Sequence, residues 1–244
     1  WMREKALEQI GHLYPQVDLP QEYGGRKATV IAWIWSRTVP SPDPAFSDVQ
    51  VPITSSFLLS SKKGQEAWIQ PKVDRNSRQI TYQIRQGGTP EQITKARHGN
   101  KSGPGTNFRC LISDAAITKA HVRNAAKQGQ LGDTLIAIVA SHGGRRVFLP
   151  PNKNHEATAK SVNPSCQPSM PISHDRRAFS PPDYGMKTFG DLFTNRQLEV
   201  LNTYSSLIHE VSQDILKAAI DVGLADNDIP LSQGGNGALA YSQA

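Results

Sequence analysis

The sequence predicts an α+β chain: a β-rich, ribbon-like stretch of short antiparallel strands, a proline-rich connection, then a long helical segment. Three observations carry that expectation. Strand-like runs rich in β-branched and aromatic residues follow one another at short spacing between residues 28 and 150. Prolines crowd residues 150–182, where they fix φ and remove backbone donors. Beyond them, apolar residues from Leu198 to Val222 recur at steps of three and four, the spacing of one helix face.

Met2, Leu7, Ile10 and Leu13 give residues 2–13 an amphipathic helix. YPQVDLPQEYGGR is its turn-rich exit, so residues 1–24 read as an entry element. ATVIAWIWSRTV, residues 28–39, is β-branched and aromatic; it suits a buried strand, with a helix as the other solution. PSPDP cannot lie inside a sheet, because proline has no N–H to donate. ITSSFLL, EAWIQPKV and QITYQIR follow as strands, the last alternating Ile80, Tyr82 and Ile84 with polar neighbours. GNKSGPGTN, residues 99–107, reads as a flexible loop, FRCLIS as a strand and TKAHVRNAAKQGQ as a short helix.

LIAIVASHGGRRVFLPP, residues 135–151, puts glycines after an apolar strand, as a phosphate or S-adenosylmethionine loop would. Such a cradle needs backbone amides at a helix N-terminus. RRVFL is strand-like instead, so a hairpin turned at His142–Gly144 is expected. QGGNG at 233–237 has no strand before it. The reading therefore expects no cofactor loop in this chain. Residues 151–188 form the proline-rich connection. Thr194 then caps a helix, with Gln197 completing a capping box. Gly223 suits its C-terminal end. The stretch is one helix, or two bent near Ser205-Ser206, with one face against a partner. Asn236 would cap a further helix. The chain starts inside one helix and stops inside another, so it reads as a fragment of a longer protein.

Composition sets the bounds. The chain has 244 residues, 37% hydrophobic, with a mean hydropathy of −0.47, so a core with long polar connections is expected. A net charge of +6 fits a polyanion such as nucleic acid, or solubility alone. The two cysteines, Cys110 and Cys166, form neither a disulfide framework nor a zinc quartet, and the reading is cytoplasmic. No run approaches the ~20 apolar residues of a membrane span, and no membrane partner or secretory leader is expected.

FSPPDYG, residues 179–185, has the look of the catalytic motif of amino-group DNA methyltransferases, in which two prolines and an aromatic hold a flipped base. That chemistry needs the ring directly after the second proline. Asp183 intervenes here and displaces Tyr184. Ser173-His174-Asp175 makes a poor hydrolase triad, since adjacent side chains point in different directions.

Several segments together resemble one family. They are GHLYP at 11–15, ATVIAWIWSRTV, SSFLLSSKKG at 55–64, FRCLISDAAI at 108–117 and AIVASHGGRRVFLPP at 137–151, followed by FSPPDYGMKTFGDLFTNRQL at 179–198 and PLSQGGNGALAY at 230–241. In this order they are similar to the middle of large bacterial adenine-specific DNA methyltransferases that begin with a domain of unknown function. TFGDLFTNRQL is the most specific part. The resemblance implies an S-adenosylmethionine loop upstream of the segment and the catalytic Asp-Pro-Pro-Tyr motif downstream, so that FSPPDYG is non-catalytic. Whether the chain counts as an enzyme then depends on the parent protein. Residues 25–150 would be the target-recognition insertion, and residues 189–244 helices returning to the methyltransferase core. Some members look associated with restriction-modification or anti-phage defence loci. Members with a zinc-ribbon-like insertion carry cysteines near Ser41 and Phe46, and near Cys110 and Ser113. Here only Cys110 could ligate, so a metal-free ribbon-like sheet is expected.

A recognition insertion must neutralise phosphates and touch base edges of duplex DNA. Candidate contacts are Lys62, Lys63, Lys72, Arg75, Arg78 and Arg85 around the strand turns. Lys95, Arg97 and Lys101 near the glycine-rich loop are others, as are Arg145 and Arg146 at the hairpin. For each the plainer reading is a solvated surface charge. The alternative function is a non-catalytic insertion that docks a defence-complex protein through SSFLLSS and the prolines at 150–182.

Overall fold

The computed structural model describes residues 1–173, 175 and 180–244. The architecture is α+β with small antiparallel sheets. The chain divides into two compact units, each discontinuous in sequence. Residues 15–159 with 169–192 make the larger, and residues 1–14, 160–168 and 193–244 the helical one.

The larger unit is built on two long strands, the first of them the strand expected over residues 28–39. They are β2 (Lys27–Pro40) and β9 (Gly132–His142), paired antiparallel from Thr29↔Ser141 to Thr38↔Gly132. The short β1 (Val17–Asp18) and β3 (Gln50–Pro52) flank β2, and β10 (Arg145–Leu149) flanks β9. Every residue from Leu135 to Ala140 is buried, because both faces of β9 are covered. Ile138 and Ala140 pack with Val147 and Leu149 on one side. Ile136 and Ala137 meet Phe57, Ile69 and Tyr82 on the other. A strand buried on two faces has to read as a continuous apolar run, which is what LIAIVA is.

The second layer is a three-stranded sheet of β4 (Leu58–Ser60), β5 (Ala67–Asp74) and β6 (Gln79–Gln86). Only the end of ITSSFLL is strand. The backbone before it is satisfied elsewhere: Thr54 N–H donates to the Asn100 side chain, its carbonyl accepts from Asn100 N–H, and Phe57 N–H donates to Ala96. Ala96 belongs to α2 (Pro90–His98), a helix the periodicity missed although Thr89 and Gln92 form a full capping box around it. FRCLIS is likewise strand only at β7 (Phe108–Arg109), paired with β8 (Ala116–Ile117). Between them Cys110 and Ala115 close a turn. The α3 helix (Lys119–Lys127), capped by Thr118, buries Val122 and Ala125 against Val39, Val51 and Cys110. Cys110 Sγ lies 3.3 Å from Ser41 Oγ, both buried, and Phe46 packs on the same cluster.

The proline-rich connection is not all loop. It contains α4 (Lys153–Lys160), where buried His155 accepts the Trp33 indole N–H at 3.1 Å. The connection contributes to both units.

In the helical unit, α1 (Met2–Ile10) passes into a 3-10 turn at Gly11–Leu13, so the entry helix is tighter at its end than expected. The α5 helix runs unbroken from Asn195 to Asp221. Thr194 and Gln197 form its capping box, and Gly223 takes φ +91° after its end. Residues 162–166 lie along its first turns. Asn195 donates to the Val162 carbonyl, Glu199 accepts Ser165 N–H, and Asn202 donates to the Cys166 carbonyl. Ile10, Leu13 and Val162 close a small core with Val200. Asn236 is not the cap of α6 (Ala238–Gln243); Gly237 holds that position without a side-chain bond. Replacing Thr194 with Ala removes one half of the box and should cost about 1 kcal/mol of helical-unit stability, read as a lower denaturation midpoint.

Candidate nucleic-acid interface

The hairpin between β9 and β10 sets the first part of the surface. Arg145 pairs with His142 across a two-residue turn, and Gly143 and Gly144 take φ of +53° and +74°. Positive φ at both central positions is a type I′ geometry, whose twist matches the flanking strands. The glycines therefore make a turn and lead to no helix. Cross-strand partners share a face, so Thr29, Ser141 and Arg146 form one row over three strands. All three are exposed. Lys27, two residues before Thr29, is exposed too. Neither Arg145 nor Arg146 makes an ion pair among the described residues.

Tyr23 ties this tip to the second sheet. Its ring meets His142 edge-on, with centroids 6.3 Å apart, and its hydroxyl accepts from Gln86 Nε2 at 2.6 Å. Gln86 pairs with Ala67 at the end of the β5–β6 ladder. Lys62 and Lys63 sit exposed on the turn entering β5 at that same end. Along the ladder the pairs Trp68↔Arg85, Gln70↔Gln83 and Lys72↔Thr81 share the outward face. Arg85 Nε donates to Gln70 Oε1 at 2.7 Å and its Nη2 to Gln83 at 3.3 Å, so the guanidinium is held flat among two amides. Ile69↔Ile84 and Pro71↔Tyr82 share the inward face, and burial pushes the Tyr82 phenol up, out of titration at neutral pH.

Two of the other expected cations are engaged in the fold. Arg78 lies 2.7 Å from Asp48 and stands over the Phe46 ring; the pair holds the Asp48 carboxyl below its usual range, chiefly through the hydrogen bond. Arg75 Nε donates to the Ile112 carbonyl. Lys95 and Arg97 occupy the last turn of α2, where positive charge complements the helix dipole, and Lys101 follows just beyond, exposed. The residues that sequence reasoning missed are Tyr23, Lys27, Gln70 and Gln83. The alternation in QITYQIR already marks Gln83 as outward, but nothing local shows that Tyr23 bridges two sheets.

The proline motif has a structural task. His174 and Phe179, from the two sequences singled out around it, lie outside the described residues. Pro181–Tyr184 form a 3-10 turn against α3. Asp183 Oδ2 accepts from Arg123 Nη2 at 2.6 Å, and Arg123 stands over the Tyr184 ring at 5.6 Å. Gly185, at φ +86°, lets the turn reach the Ala126 carbonyl; a Cβ there would lie 3.0 Å from it. Asp183→Asn keeps the shape and removes the charge. It should lower the midpoint of the larger unit by the equivalent of about 1 kcal/mol, the pair being only partly shielded. Arg123→Ala should cost more, since it also loses the ring contact.

Within TFGDLFTNRQL, Asp191 Oδ2 accepts Lys187 N–H and Thr188 N–H at 2.8 Å each, and Thr194 caps α5. The block is thus a tight turn followed by a helix start, at the point where the chain passes from one unit to the other. SSFLLSS, expected as a docking surface, gives Phe57 to the core and leaves Leu58 and Leu59 half-buried. An outward apolar stripe lies on α5, where Leu201, Tyr204 and Ile208 are 52, 41 and 56% exposed.

Among the described residues no three His, Cys, Asp or Glu side chains gather as a metal site requires, and no helix is long and apolar enough to cross a membrane. Comparison with known protein families, curated proteins and solved structures finds no match to this chain.

Proposed function

We propose that the chain is the DNA target-recognition segment of an adenine-specific methyltransferase, with S-adenosylmethionine and the catalytic motif carried by the remainder of that protein. The observation that supports it best is the hairpin tip. Arg145 and Arg146, which make no ion pair among the described residues, stand beside a turn narrow enough to enter a groove, and Arg146 ends the row Thr29–Ser141–Arg146. A two-stranded ribbon fits the major groove, where an arginine reads guanine by two parallel hydrogen bonds. Lys62, Lys63 and Arg85 extend the cationic surface and serve as phosphate contacts. Arg97 and Lys101 are secondary candidates, and Arg78 is a structural cation.

The test is binding of the chain to short duplex DNA by fluorescence anisotropy at several salt concentrations. Affinity should fall steeply as salt rises, because each neutralised phosphate releases condensed counterions. A folded chain with no binding at low salt defeats the proposal. The outward stripe Leu201–Tyr204–Ile208 supports a second reading, an insertion that docks a protein such as a component of a defence complex. Absence of DNA binding, with loss of a protein contact on Ile208→Glu, would favour it.

A further inference from the structure

We propose that the cleft between α2 and the open edge of β5 holds an unstacked nucleobase. It encloses about 350 Å³, within the size range of small-molecule pockets. Phe57, Trp68, Pro71 and Leu111 give it apolar walls, and Gln92, Lys95 and Ala96 of α2 line it with Gly99. Gln92, Lys95 and Ala96 recur at i, i+3 and i+4, a single face of α2, and Gly99 follows just past its end. Ala96 at its centre leaves the space a larger side chain would fill.

Three features select a base over a peptide strand. First, β4 ends early and leaves β5 with an open edge, yet Pro71 disarms it. Ile69 N–H donates to Phe57 on that side, and N–H groups alternate along a strand, so the donor missing at Pro71 also faces the cleft. An added strand would find no donor at that position. Second, the Trp68 indole N–H is spent on the Gly87 carbonyl at 2.9 Å. Its remaining offering is a ring surface, and aromatic surfaces stack on bases without sequence preference. Third, the polar lining is donor-rich. Gln70 Oε1 accepts from Arg85 and Gln92 Oε1 from Thr89, which leaves each amide nitrogen to donate. Lys95 adds a cation, no carboxylate lines the cleft, and Lys72 stands exposed on the adjoining strand. Keto oxygens of a base and flanking phosphates match this set.

The inference rests on the nucleic-acid reading for its class of ligand, but it concerns single bases away from the hairpin tip. The experiment compares three labelled probes on the chain: a short oligothymidylate, an abasic strand of equal length and charge, and a duplex. Oligothymidylate should bind about ten-fold tighter than the abasic strand, the equivalent of one stacked base, and should quench Trp68 emission, with Trp68→Leu losing the quench. Lys95→Glu and Val73→Glu change exposed side chains at the cleft. Both should abolish the difference between strands, with unchanged circular dichroism, and Arg145→Ala/Arg146→Ala should leave it intact. Equal binding of the thymidylate and abasic strands overturns the proposal, as does a preference that survives Val73→Glu. Salt-dependent duplex binding without base preference faults the cleft alone. Base preference without duplex binding faults the recognition reading alone. No binding of any probe overturns both.

Discussion

Replacing Arg145 and Arg146 together by Ala should weaken duplex binding by roughly 10- to 100-fold at moderate salt and reduce the slope of log affinity against log salt by about one to two units. Each phosphate contact accounts for about 0.9 of a unit, so the slope counts how many of the two arginines lie on the backbone. If one of them reads a base, its loss should instead cost about 1–3 kcal/mol at a single position of the target and relax preference there. Both side chains are exposed and make no ion pair among the described residues, so the variant should keep its unfolding midpoint. Identical slopes and affinities for the two proteins would remove the hairpin from the interface. Arg78→Ala makes the contrast: it should lower stability through Asp48 and Phe46 and leave the slope nearly unchanged.

Asn100→Ala should destabilise the larger unit by about 2–4 kcal/mol. The residue is 6% exposed, and its side chain accepts Thr54 N–H at 2.8 Å and donates to the carbonyls of Pro52 and Arg109 at 2.7 and 2.8 Å. The short side chain of Ala leaves three backbone groups without partners. Leaving such groups buried costs more than an exposed hydrogen bond is worth. Asn100→Asp should be at least as harmful near neutral pH. It keeps the acceptor for Thr54 but sets a carboxylate against two carbonyl oxygens where an amide donated. Chemical denaturation reads both variants; a change under 0.5 kcal/mol in either would mean the loop has another way to satisfy Thr54.

Asn100 also marks where reading the sequence stops working. It lies in a glycine-rich stretch that has every local sign of a flexible loop, and only the tertiary structure reveals it as a buried junction. The segments before it fail for the same reason: Thr54 and Phe57 form part of a strand-like run, but their backbone partners are Asn100 and Ala96, 46 and 39 positions away. Where the determinant is local, the reading holds. Thr194 and Gln197 are three residues apart and cap α5, and the Gly143-Gly144 dipeptide dictates its own turn. The α2 helix was equally legible in Thr89-Pro90-Glu91-Gln92 but too short for its periodicity to stand out. On α5, the apolar repeat marked a helix correctly and its inner face in part: Leu198 and Ala219 are buried, as is Leu207 outside the repeat, whereas Leu201 and Ile208 face outward. The candidate interface was legible as single cations. Their grouping around Tyr23 was not, because it depends on which strand ends meet.

The discontinuity of the two units bears on the order in which they can form. Within this segment α1 leaves the ribosome well before its packing partner α5, which begins at Asn195. The larger unit is itself delayed, because β2 must remain without its central neighbour until β9 has been made. Pairings between such distant segments require loop closure before any contact rewards it, and they slow folding. Until then the apolar run of β2 stays exposed, a window in which chaperones or a neighbouring nascent chain can reach it.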